Sequence, residues 1–244
     1  MRAAVGRYRA WVLAEVARLV GDARRFTDAV RAGDLAAARA RYAPSRVRWE
    51  RIQPMAVLAG DVESRVDARA ERFPRPDDPR FTGWHRLERL LFKLRTTAGA
   101  GRFADRLDAD LAALARDLRA TPFPPAAVAD GAARLLEGVA RGTLVGTEDR
   151  YARTDLWDAD AAVDGARKLI EVLGPPLEAS EPKLVDKLAA GFAGIGRGLD
   201  EYAVAGGGFR PSTALTSGDR ARLQAQLASQ TELLTRVPGA LGLA

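Results

Sequence analysis

The sequence predicts an all-α fold, and two observations carry that prediction. Ala, Leu and Arg are abundant while aromatic residues make up 7% of the chain, a composition that favours helices over strands. Apolar residues also recur every three or four positions, beginning with a stripe from Val5 to Val30. No segment has a convincing strand pattern. With 244 residues, 47% of them hydrophobic, the chain can form one large domain or two small ones.

Glycine and proline punctuate the predicted helices. The first helix ends at Gly33, and Asp34 is placed to cap the second, which is interrupted near Pro44 and stops at Pro54. A short segment, a proline-rich turn and a helix around His85 follow. Apart from the helix around His85, the predicted helical ranges are 5–31, 35–52, 103–118, 126–141, 155–173, 182–202 and 217–237.

An internal repeat divides the chain. Residues 26–43 align without a gap on residues 135–152, matching Gly33 with Gly142 and Tyr42 with Tyr151. We therefore expect two related antiparallel helical bundles that arose by duplication, residues 1–122 carrying the metal site and residues 123–244 forming the second bundle. The same offset places glycine and arginine opposite His85 and Glu88, so the second half lacks that pair.

Charge and cysteine content exclude several classes of protein. The formal charge of +6 comes from arginines that alternate with Asp and Glu, which is typical of solvated helix faces and argues against a nucleic-acid surface. There is no cysteine, so any metal must be held by nitrogen and oxygen. No window approaches the roughly 18 apolar residues of a membrane span, and the N-terminus lacks an apolar signal core. We expect a cytosolic protein or a mature fragment whose export signal was removed.

The only histidine, His85, is followed three residues later by Glu88. On a helix these two side chains lie on the same side and can converge on one ion. A stripe of Trp84, Leu87, Leu91 and Leu94 places the pair beside a buried face. The pattern is not HExxH, so a zinc peptidase of that motif is excluded.

Two other acids fall among apolar residues. Asp110 lies on the apolar stripe of its predicted helix, and Glu50 sits between Trp49 and Ile52. Several buried carboxylates are costly unless they share a cation or form ion pairs. A metal ion is one solution. The alternative is pairing with nearby arginines such as Arg46, Arg51 or Arg69.

The segment 81–92 resembles the signature of the imelysin-like family, in particular its EfeO/EfeM branch. The resemblance continues in order through residues 26–34, 42–46, 49–54, 66–69, 148–151 and 154–158. It therefore covers nearly the whole chain. One departure is Gln53, where the branch often has a glutamate.

The resemblance implies an all-helical iron-binding component of a bacterial elemental iron-uptake system. It implies that His85 and Glu88 bind Fe²⁺ or Fe³⁺, with zinc possible in vitro, that Glu50 and Asp110 complete the site, and that Asp67 and Arg69 surround it. The implied partners are a ferrous-iron permease and a Dyp-type haem peroxidase. The implied location is periplasmic or at the extracytoplasmic cell surface, as a lipoprotein or exported protein peripheral to the membrane.

The family's peptidase label receives little support, because no nucleophile and base arrangement is evident. We expect a protein that is not an enzyme and has no catalytic residues. Two alternatives stay open. One is a metal-dependent hydrolase in which Glu50 activates water. The other is a structural partner protein that binds no metal.

Overall fold

The computed structural model describes residues 1–243 and confirms the all-α prediction. In that part of the chain, β-type pairing is limited to an isolated bridge between Ala203 and Phe209. In chain order the α-helices are α1 (Arg2–Arg31), α2 (Leu35–Ala56), α3 (Glu63–Val66), α4 (Gly83–Glu88), α5 (Gly101–Ala120), α6 (Pro125–Gly138), α7 (Asp155–Ser180), α8 (Pro182–Asp200), α9 (Ser217–Leu234) and α10 (Val237–Ala240). Short 3₁₀ turns occupy Val57–Ala59, Ala70–Arg72 and Ser212–Ala214, and π turns occupy Arg89–Lys93 and Val139–Thr143.

Prolines interrupt the helices less than the sequence predicts. The predicted stop at Pro54 is wrong, since α2 runs through both Pro44 and Pro54, and the predicted end of α7 before Pro175 is wrong as well. A proline removes one helical hydrogen bond, so a carbonyl must find another donor. The carbonyl of Val172, four residues before Pro176, accepts a bond from Arg7 Nη2 at 3.3 Å. Tertiary contacts of this kind let the helix continue.

The long helices pack into one connected apolar core. Helix α1 contacts α2 and α5, and α2 also contacts α6 and α7. Helix α7 in turn contacts α8, which contacts α9. The crossing of α2 and α7 is close at Gly165, where an added Cβ would lie 2.3 Å from the carbonyl oxygen of Arg51. Only glycine allows the two backbones to approach this far.

The proposed repeat does not have matching local structure along its length. Residues 35–43 belong to helix α2, whereas residues 144–152, which align with them, form turns. Duplication therefore stays a prediction, as does a boundary near residue 122. Helices from both predicted halves contribute to the shared core.

The segment between α2 and α5 positions the HxxE pair. Gly83 begins α4 with φ +77°, and a Cβ there would lie 2.2 Å from the carbonyl oxygen of Val66. Trp84, Leu87 and Leu91 are fully buried, as the stripe predicts. Leu94, however, is 47% exposed. The π turn after α4 explains this error, because its extra residue per turn rotates Leu94 away from the core.

None of the described helices combines the length and the apolar character needed to cross a membrane.

Candidate metal centre

The candidate site surrounds His85, which is only 3% exposed to solvent. Its Nε2 atom lies 3.4 Å from Asp67 Oδ1 and 3.5 Å from Glu148 Oε1. Its Nδ1 atom lies 3.2 Å from Glu88 Oε2 and 3.9 Å from Asp149 Oδ1. Four carboxyl groups therefore face one imidazole ring, two on each side.

Asp67 is fixed by donors from helix α2. Trp49 Nε1 donates to Asp67 Oδ2 at 2.9 Å, and Arg46 Nη1 donates to Oδ1 at 2.6 Å. The side chain is buried. Because both donors are buried on a long helix, Asp67 is held against His85 although it lies in an irregular segment.

Glu148 comes from the connection between the π turn Val139–Thr143 and α7. Arg69 Nη1 donates to its Oε2 atom at 3.2 Å, which leaves Oε1 directed at His85. Gly142 makes room for this carboxylate, since a Cβ there would lie 2.7 Å from Oε2. Glu148 is partly exposed, so this side of the imidazole is close to solvent.

Glu88 is already engaged by the backbone. Its Oε1 atom accepts the N–H groups of Tyr151 at 2.6 Å and Ala152 at 2.9 Å, while Oε2 contacts His85 Nδ1. Asp149 is similarly occupied by hydroxyl donors, Tyr42 at 2.8 Å and Thr154. Both carboxylates on the Nδ1 side of the ring thus already accept hydrogen bonds from the protein.

Arg46 is the central cation of the cluster and is fully buried. It pairs with Glu50 at 2.8 Å and with Asp158 at 3.1 Å, in addition to Asp67. Six carboxyl groups lie within 4 Å of Arg46 or His85: Glu50, Asp67, Glu88, Glu148, Asp149 and Asp158. Among the described residues, the basic side chains that contact these carboxyl groups at the site are Arg46, His85 and Arg69. The cluster is short of positive charge.

Burial, with too few cations to offset it, shifts the pKa values of the acids. Burial raises the pKa of Glu50 and Asp158 well above the usual range, and raises that of Asp149 to about 6, although Arg46 opposes each shift. Burial has the same tendency at Asp67, but Arg46 and His85 outweigh it and hold its pKa below the usual range. The charge of Asp67 is therefore retained beside the imidazole.

His85 has a pKa well above its ordinary value. Burial and the charge of Arg46 lower the pKa, and the contacts with Asp67, Glu148 and Glu88 outweigh both. Burial tends to raise the pKa of Glu148, but the contact with His85 lowers it. A proton on Nε2 consequently occupies the space between two ionised carboxylates, where a metal ion would compete with it.

The donor geometry fits a metal ion. Among the described residues, two groups bring three donor atoms within 4.8 Å of one another: Asp67, His85 and Glu148, and His85, Glu88 and Asp149. Two donors bound about 2.1 Å from one ion lie roughly 3.0–3.5 Å apart, which matches the separations from Nε2. Although His85 Nε2 is buried and faces both carboxylates, none of its contacts within the described chain has hydrogen-bond geometry.

The structure brings most of the sequence-predicted residues to this cluster. His85 and Glu88 are adjacent, Asp67 touches the imidazole directly, and Arg69 binds Glu148. Glu50 pairs with Arg46, which is the ion-pair alternative considered from the sequence. Asp110 lies elsewhere, paired with Arg106 at 2.6 Å and Arg65 at 3.2 Å.

Sequence reasoning missed Glu148, Asp149 and Asp158 as members of the site. They precede or begin α7, far from His85 in sequence, and no helical spacing connects them to it. The available signal was their place in residues 148–151 and 154–158, two of the segments that resemble the family.

The fold and the site define a helical-bundle protein with a buried carboxylate–histidine cluster. The chain belongs to the imelysin family. The family model described as Imelysin (Peptidase_M75) matches residues 4–237. The resemblance found in the sequence is confirmed.

Curated relatives are similar to the chain over almost its whole length. It is 41% identical over 241 residues to the iron uptake system component EfeO of Shigella boydii serotype 4 and of Escherichia coli O157:H7. It is 43% identical over 240 residues to the protein of the same name from Yersinia pseudotuberculosis. Each match covers 98% of this chain and 64% of the relative, so the chain spans somewhat less than two thirds of their length.

Proposed function

We propose that this protein captures iron at His85 and hands it on within a bacterial iron-uptake system. The observation that carries the proposal is the buried Nε2 atom, which lacks a hydrogen bond and faces the carboxylates of Asp67 and Glu148. The names of the relatives support iron as the metal.

Asp67, His85 through Nε2 and Glu148 are the proposed ligands. Glu88 orients the ring by holding Nδ1, an arrangement that commonly fixes the tautomer of a metal-binding histidine. This exchanges two roles implied by the resemblance, since Glu88 becomes the orienting residue and Asp67 a ligand. Glu50 acts through Arg46, and Asp110 has no part in the site.

The donors suit the proposed cargo. One imidazole nitrogen and two carboxylate oxygens form a hard set appropriate to Fe²⁺ or Fe³⁺, and zinc competes for such ligands in vitro. The excess of carboxyl groups attracts a cation into a buried position. Three protein ligands leave coordination positions free, which suits reversible capture. Because a protonated imidazole cannot bind metal, affinity falls as the pH is lowered.

The proposed partners are the permease and the haem peroxidase of the same uptake system, and the proposed location is outside the cytoplasmic membrane. Both follow from the family resemblance and from the relatives' description as components of an iron uptake system. The protein delivers iron rather than transforming a substrate. The hydrolase alternative is disfavoured by the position of Glu50, the candidate base, which contacts Arg46 at 2.8 Å and is not among the carboxylates within 4 Å of the His85 nitrogens in the described chain.

The proposal is tested by anaerobic Fe²⁺ titration and elemental analysis of the purified protein. Wild type binds one ion per chain, and His85→Ala, alone or combined with Glu88→Ala, loses stoichiometric binding while keeping its helical circular dichroism. Asp110→Asn is the matched control and binds normally, because Asp110 pairs with arginines outside the cluster. Unchanged binding by His85→Ala would sink the assignment.

A further inference from the structure

An arginine-lined pocket opens beside the proposed ligands. Its volume is about 560 Å³, and its lining includes Arg69, Arg72, Arg150, Arg153, Glu71 and Thr147. Four arginines and one glutamate thus belong to its lining. We refer to this cavity as the arginine pocket. Its size suits a small organic or inorganic anion with some water.

The arginine pocket leads to the metal ligands. A narrow gap of about 10 Å³ lies against His85, Glu88 and Glu148, and part of its lining is shared with the pocket. The shared residues are Arg69, Glu71, Thr147 and Arg150. A gap of that volume holds about one water-sized sphere, so a donor atom of a ligand in the pocket can enter the space beside His85 and Glu148.

Arg153 is the basic residue of the pocket without an acidic partner. Arg69, Arg72 and Arg150 pair with Glu148, Glu63 and Glu71 respectively. Within residues 1–243, no carboxylate lies within 4 Å of the Arg153 guanidinium, whose contact is a long bond to the Gly146 carbonyl at 3.4 Å.

The backbone holds Arg153 in an unfavourable conformation. Its φ is +61°, a left-handed value that is uncommon outside glycine and costs about 1 kcal/mol or more. Ser212 N–H donates to its carbonyl oxygen at 2.9 Å and helps to fix it there. The backbone of Arg153 is thus fixed at some energetic cost while its charge has no acidic partner, and backbone strain of this kind clusters at ligand sites.

We propose that the arginine pocket binds a small oxyanion chelator whose donor oxygens complete the coordination of the metal at His85. Iron then arrives as an anionic chelate rather than as a bare ion. Guanidinium groups bind carboxylate and phosphate oxygens through paired hydrogen bonds. Three protein ligands leave about three positions of an octahedral ion for such a molecule. The inference rests on the proposed function, because it places the metal at His85 Nε2.

The test measures citrate and pyrophosphate binding by calorimetry, with metal-free protein and with protein loaded with Zn²⁺, which has no redox chemistry. We expect the anion to bind at least about tenfold tighter to the loaded protein. In Arg153→Gln, anion affinity falls about tenfold, while chelator-free Zn²⁺ binding keeps its stoichiometry. The tighter of the two anions identifies carboxylate or phosphate chemistry.

Arg95→Gln is the matched control. Arg95 is the other non-glycine residue with positive φ, at +56°, and it is exposed outside the pocket, so its replacement leaves anion binding unchanged. The inference is overturned if Zn²⁺ binds but the anions do not, or if their affinity is the same with and without Zn²⁺. It is also overturned if Arg153→Gln binds the anions as tightly as wild type. Failure of Zn²⁺ and Fe²⁺ to bind wild type overturns the proposed function itself.

Discussion

At the scale of single residues, the two nitrogens of His85 have different surroundings. Nδ1 faces Glu88, which is anchored by two backbone N–H groups, whereas Nε2 faces Asp67 and Glu148 without a hydrogen bond. On the Nε2 side a proton and a metal ion compete for the same two carboxylates, which lie 3.4 and 3.5 Å away. The two sides of the ring therefore have separate roles.

This division predicts different effects for two similar substitutions. Glu148→Gln removes a charged ligand and should abolish stoichiometric Fe²⁺ binding. Glu88→Gln keeps an oxygen for the backbone N–H groups, so it should retain one bound ion with affinity reduced about 10–100-fold. Metal titration of both variants checks this. The reverse order of severity would mean that Glu88 is the ligand.

Asp160 predicts a measurable pH dependence of stability. Burial, reinforced by Asp164, raises its pKa to about 6 in the folded state. The folded protein therefore holds this proton more tightly than the unfolded chain, and ionisation opposes folding. Ionisation of Asp160 therefore lowers the free energy of unfolding as the pH rises from about 4 to about 6.

Asp160→Asn should accordingly raise the free energy of unfolding at pH 7 by about 1 kcal/mol, a figure reduced for the partial exposure of the side chain. Below about pH 4 the variant and wild type should be equally stable. Urea denaturation at several pH values provides the comparison. A difference that is independent of pH would contradict the explanation.

At the scale of elements, the long amphipathic helices were predictable because a 3.6-residue period leaves a regular apolar stripe. Helix α5 was expected at residues 103–118 and spans Gly101–Ala120. The ends of α2 and α7 were not predictable, because prolines are strong local breakers and a compensating contact such as that from Arg7 to the Val172 carbonyl in α7 is tertiary. The π turn that exposes Leu94 has no clear signature in sequence.

The crossing of α2 and α7 predicts a strong effect at one glycine. Gly165→Ala places a Cβ against the Arg51 carbonyl, and overpacking of this kind costs about 1–3 kcal/mol. Thermal unfolding should show a lower midpoint. The matched control is Gly196→Ala in α8, where nothing lies within 4 Å of the added Cβ, and a gain of up to about 1 kcal/mol is expected. Equal effects would contradict the close approach.

At the scale of the whole molecule, the site is assembled from segments that are distant in sequence. The HxxE pair was predictable from helix geometry, since its spacing is local. Glu148 approaches His85 only because α2, α6 and α7 pack together, and periodicity carries no information about that arrangement. The place of Asp110 on a buried helix stripe suggested that it is a metal ligand, but its pairing with arginines explains a buried acid equally well.

Arg46 links this assembly, since it joins α2 to Asp67 and to Asp158 of α7. Arg46→Met leaves buried carboxylates without their cation and should destabilise the metal-free protein by about 3–5 kcal/mol. Added metal should recover part of the loss through binding to the folded state. Denaturation with and without chelator measures both effects. Arg106→Met removes an arginine that is about half exposed and leaves Asp110 paired with Arg65, so it should change stability by less than about 1 kcal/mol. A small effect of Arg46→Met would contradict its central role.

The most direct test of the central claim is the position of the bound metal. Anomalous diffraction at the iron edge from iron-loaded crystals should show a peak bonded to His85 Nε2, between the carboxylates of Asp67 and Glu148, with Glu88 still on Nδ1. A peak on the Nδ1 side, between Glu88 and Asp149, or the absence of a peak at His85, would contradict the account.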